Sequence, residues 1–153
     1  MQSLPALVTH SYHPARGALR NLCDLPRAEA AALLAAIAAK GRRRVRPDYL
    51  DRRLATEDWL LAERTRLLGP PPRRRPLYFF LGDFDDGLDP ARPAALLLPL
   101  ARFAPESITF TWPDSMASHA LAACPDERRG RVFTLDAIAA LVAVEGLPPR
   151  GPL

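Results

Sequence analysis

A chain of 153 residues, 48% hydrophobic and 25% charged, is long enough to bury a core and too apolar to be intrinsically disordered. No apolar run approaches the ~20 residues of a bilayer span, and the opening MQSLPALVTH lacks the basic and apolar regions of a signal peptide, so a cytoplasmic protein without a membrane partner is expected. The formal charge of +4 rests on arginine, since Lys40 is the only lysine among 21 basic residues, and guanidinium groups can fork onto phosphates.

The first predicted element is a short strand at 7–10, followed by a loop through Gly17. A helix is predicted over 25–40. Asp24 can cap its first turn, Pro26 is tolerated there because early helical N–H groups have no partner, and Gly41 is the stop. Cys23 lies at the entry to this helix. It and Cys124 lack CxxC spacing and are expected to be free, buried thiols.

Three arginines at 42–44 lead to a second predicted helix over 48–68, closed by Gly69 and Pro70. At about 100° per residue, Leu50, Leu54, Leu61 and Leu68 share one apolar stripe. Glu57 falls in the middle of that stripe, where an unpaired carboxylate would be costly. Arg53, one turn earlier, and Arg64, two turns later, lie beside it. Two readings follow: an ion pair at the margin of the core, or an acid lining a ligand site.

The stiff basic connector PPPRRR at 70–75 enters the densest apolar run in the chain, LYFFL at 77–81. Bounded by Pro76 and Gly82, this run reads as a buried strand. Asp83, Asp85 and Asp86 follow it, but their spacing matches no cation loop, so a solvated turn without metal is expected. Further strands are predicted at 94–98, at 107–112 (where polar and apolar residues alternate) and at 131–133. Residues 113–116 read as a turn. A last helix over 135–145 stops at Gly146, and 148–153 is expected to be a frayed tail. The fold class expected is α+β: a mostly antiparallel or mixed sheet of about five strands with three helices, in a single domain over 1–153.

Several chemistries are excluded. The chain has no Walker A loop, G-x-G-x-x-G or G-x-S-x-G elbow. His10 and His13 would point to opposite faces, and nothing completes a zinc set.

One arrangement remains. A strand ending in Thr9 and His10 precedes Asn21 and Leu22 opening a helix, then an aromatic strand, then a strand preceded by Glu106. This order resembles ADP-ribosyltransferase-like folds, which include DNA-modifying toxins and RNA 2′-phosphotransferases. The resemblance covers about a third of the chain and is one of fold, not of extended motif. It implies that His10 holds the nicotinamide ribose, Tyr78 stacks on nicotinamide and Glu106 orients the nucleophile, with NAD as substrate. A carboxylate there would stabilise an oxocarbenium-like centre. Asn21, Arg53 and Glu57 are the candidate substrate-binding residues beside them. The expected function is thus a small transferase or hydrolase acting on a nucleotide-containing substrate. The alternative is a non-catalytic module that contacts nucleic acid or protein through the arginines at 42–44 and 73–75, set about 30 Å apart by the second helix.

Overall fold

Strand β1 (Leu7–Tyr12) is the centre of a three-stranded antiparallel sheet, with β2 (Phe80–Leu81) on one side and β3 (Ala94–Pro99) on the other. The computed structural model describes residues 2–41, 44–83 and 91–148. They divide into two units. The first, Pro5–Glu57 with Arg73–Arg102, holds this sheet; the second, Met1–Leu4 with Asp58–Pro72 and Phe103–Leu153, holds a two-stranded sheet.

In the first unit, Val8, Thr9, His10 and Ser11 are all buried. Successive strand residues point to opposite faces, so both faces of β1 are covered. β1 pairs with β3 along its whole length, from Leu7 opposite Pro99 to Tyr12 opposite Ala94. It pairs with β2 only at Val8–Leu81 and Thr9–Phe80. The strand expected over 77–81 is therefore a two-residue ladder. Pro76 has no N–H to donate, and the carbonyl of Tyr78 is taken by the His10 ring instead.

A 3-10 turn at Leu22–Asp24 precedes α1 (Arg27–Ala39). Asn21 caps that turn, and Pro26 occupies the α1 N-cap without a side-chain bond. Asp24, expected as the cap, instead pairs with Arg73. Helix α1, RAEAAALLAAIAA, is apolar on nearly every side rather than on one face, and it buries only Ala30. Helix α2 (Tyr49–Leu68) matches its expected bounds to within a residue, and the division between the units falls after its Glu57.

In the second unit, β4 (Phe110–Thr111) pairs antiparallel with β5 (Val132–Phe133). Helix α4 (Leu135–Glu145) starts at Thr134, whose hydroxyl accepts from the Ala137 N–H at 3.3 Å. Its Ile138 and Val142, one turn apart, meet Trp112 in a core joined by Leu4, Phe110, Phe133 and Leu141. The strand expected over 107–112 shortens because Pro105–Ser107 coils into a 3-10 turn. The turn expected at 113–116 is in fact the start of α3 (Ser115–His119), where Asp114 accepts from the Ala117 N–H at 2.9 Å. An aspartate after proline serves equally well as a turn residue and as a helix cap, and here it caps.

The class is α+β, as expected. The strands, however, form two antiparallel sheets of three and two strands rather than one sheet of about five, and the described residues contain four α-helices rather than three. Arg42, Arg43, Asp85, Asp86 and residues 149–153 of the expected tail lie outside the described residues. Among those described, no helix is long and apolar enough to cross a membrane.

Candidate functional site

Glu57 has the largest fully buried side chain of the described residues, with no exposed surface. A carboxylate taken out of water is tolerated only when its lone pairs are filled. Asn21 Nδ2 donates to both carboxylate oxygens, at 3.0 and 3.1 Å. Arg53 Nε donates from one turn back on α2 at 2.9 Å, and Tyr78 Oη donates at 3.0 Å. Arg75 Nη1 lies 3.9 Å away.

Local rules explain how these groups assemble. The i,i+4 spacing on α2 sets Arg53 beside Glu57 and Tyr49 beside Arg53, whose Nη1 donates to Tyr49 Oη at 3.0 Å. Asn21 is fixed by its capping role. Its Oδ1 accepts from the Cys23 N–H at 2.9 Å and from Arg53 Nη2 at 3.1 Å, which leaves Nδ2 for Glu57 and for the Pro76 carbonyl at 2.8 Å. The Arg53 guanidinium lies over the Tyr78 ring, 4.7 Å from its centre.

These contacts shift proton affinities. Burial raises Tyr78 well above the ordinary phenol range, with Glu57 adding to the effect and Arg53 opposing it. Burial pulls Arg53 down, yet Tyr49, Tyr78 and Glu57 together hold it above the ordinary guanidinium value. Burial and then the Glu57 charge push the Cys23 thiol up from 9.0 to about 11. A thiol raised in the folded state lends stability that is complete below pH 9.0 and is lost as pH climbs through about 11. Near pH 8, Cys23 should therefore alkylate far more slowly than the exposed Cys124. Peptide mapping after iodoacetamide treatment checks this; equal rates would contradict a thiol facing the carboxylate.

His10 joins the network through the backbone. It is 5% exposed. The Leu19 N–H donates to its Nε2 at 2.8 Å, so the proton sits on Nδ1 and is donated to the Tyr78 carbonyl at 2.9 Å. The ring also lies against Phe79, with centres 5.3 Å apart. Leu19 holds a φ of 59°, a left-handed conformation that a leucine adopts only under constraint from its surroundings.

Five of the six candidate residues, His10, Asn21, Arg53, Glu57 and Tyr78, thus share one hydrogen-bonded network in the first unit. Glu106 belongs to the second unit, exposed on the Pro105–Ser107 turn. Of the two cations flanking Glu57 on α2, Arg53 makes the ion pair. Sequence reasoning missed Arg75, Cys23, Tyr49 and Leu19 as members of the site. The run at 73–75 is not a uniform phosphate patch: Arg73 pairs with Asp24, and Arg75 approaches Glu57. Among the described residues no cluster could hold a metal ion. No protein-family model, curated protein or solved structure matches this chain.

Proposed function

We propose that the first unit binds a nucleotide-containing substrate through the Arg53, Arg75 and Tyr78 edge of this network, and that the protein is a small cytoplasmic transferase of ADP-ribosyltransferase type using NAD. The observation that carries this reading is the convergence of His10, Asn21, Arg53, Glu57 and Tyr78 from four separate stretches of chain. Two guanidiniums, those of Arg53 and Arg75, flank the Glu57 carboxylate. Their side chains are 18% and 16% exposed, open enough to reach a phosphate. The strain at Leu19 adjoins this network, as strain often does at working sites. Glu57 is the carboxylate bonded to Tyr78, whose carbonyl the histidine holds. Transfer would break the bond from the ribose anomeric carbon to the nicotinamide nitrogen. Nicotinamide would leave with the electron pair, and an acceptor nucleophile would bond the same carbon.

A second reading has its own support. Both ring nitrogens of His10 and both oxygens of Glu57 are already bonded within the protein, which suits a binding module without catalysis. Thermal shift with NAD, ATP, Mg²⁺ and short oligonucleotides separates the two. Saturating NAD is expected to raise Tm by roughly 5–10 °C. The shift should vanish in a His10→Ala variant that keeps wild-type far-UV circular dichroism. Stabilisation by oligonucleotides alone, steeply salt-dependent and unchanged in His10→Ala, would reject the transferase in favour of the module.

A further inference from the structure

The outer edge of β3 has no strand beside it among the described residues. The register shows which of its backbone groups face outward. The Leu100 N–H donates to the Ala6 carbonyl at 2.8 Å, so these two form a hydrogen-bonded pair from which the alternation can be counted. Leu98, Leu96 and Ala94 therefore bond β1, while Pro99, Leu97 and Ala95 turn their backbone groups away from it. Pro93 has the same outward parity. Each proline thus sits where a missing N–H breaks no bond within the chain. The two also stand symmetrically about Leu96, three residues to either side.

We infer that β3 pairs antiparallel with β3 of a second copy of this chain, about a two-fold axis at Leu96. In that register Ala95 faces Leu97 of the partner subunit, and the reciprocal pair forms by symmetry. Each pair exchanges two N–H···O bonds. Leu96 faces itself across the axis with its own N–H and C=O directed inward to β1, as a non-hydrogen-bonded pair requires. Pro93 meets Pro99 of the partner subunit. Neither has an N–H, so the ladder ends at both sides together.

The side chains agree with this pairing. Edge strands are guarded by charges or prolines; here prolines close only the two ends, the stretch between them carries no charge, and Leu97 is 42% exposed. A second copy fits this edge better than a foreign peptide, because the two prolines meet only when the strand opposes itself. Two bonded pairs form a small contact, so the dimer is reversible and concentration-dependent.

Sedimentation velocity over a concentration series tests this. The mass should rise from one chain toward two. Leu97→Lys changes an exposed side chain, and Ala95→Pro removes an outward N–H while keeping every bond to β1. Each should weaken the dimer by about tenfold or more without altering far-UV circular dichroism. A monomer at every concentration would overturn the proposal, as would a dimer that both variants leave intact.

Discussion

Replacing Glu57 by alanine is expected to remove about 3–5 kcal/mol of stability, the usual loss when one partner of a buried pair is deleted. Arg53 would keep its charge beside Tyr78 with its carboxylate gone, and Asn21 and the Tyr78 hydroxyl would each lose their acceptor. Urea denaturation measures the loss as a lower midpoint at unchanged slope. Adding Arg53→Met should recover part of it, because the uncompensated cation goes as well. The coupling between the two sites is expected to be on the order of 1–3 kcal/mol. A loss below about 1 kcal/mol for Glu57→Ala would mean that the pair behaves as a hydrated surface bridge, contrary to its burial.

Gly130→Ala should be nearly as damaging, through the backbone alone. Gly130 holds a φ of 79°, and an added Cβ would lie 2.5 Å from the Leu121 carbonyl oxygen and 3.0 Å from the Pro125 Cα. Both neighbours are main chain, so no side chain can swing aside. The surrounding loop is tightly bonded. Asp126 accepts from the Arg128 and Arg129 N–H groups at 2.7 and 2.6 Å, which holds its carboxyl below the ordinary range. The buried Ser118 hydroxyl accepts from the Gly130 N–H at 2.9 Å. Left-handed strain and the clash together should cost roughly 3 kcal/mol or more, a fall in Tm on the order of 10 °C. Differential scanning calorimetry reads it directly; an unchanged Tm would show that the loop opens freely.

Residue patterns made some of this structure legible and hid the rest. The apolar stripe and terminal glycine of α2 marked that helix closely, and Glu57 stood out because a charge interrupted the stripe. Arg53 followed from helical spacing. By contrast, the run at 77–81 looked like a full strand from its aromatic content, but ladder length depends on the partner, and His10 claims the Tyr78 carbonyl. Asp114 suits a turn or a helix cap by residue type alone, and here its carboxylate accepts from the Ala117 N–H as a cap. Arg75 was hidden in a run that read as one phosphate-contacting patch. Its place beside Glu57 depends on a long-range approach that no local pattern encodes. Glu106 was singled out by its position before a strand, yet it lies exposed in the other unit.

The most direct test of the nucleotide-binding reading is isothermal titration of NAD into the wild-type protein and into Arg75→Met. Arg75 lies 3.9 Å from Glu57 and is partly open to solvent, so its loss should spare the fold, as far-UV circular dichroism can verify. Saturable one-to-one binding is expected in the wild type, weakening with added salt, and an affinity about tenfold or more lower in Arg75→Met. No binding heat in the wild type, or equal affinity in the two proteins, would contradict a phosphate held by the guanidiniums around Glu57.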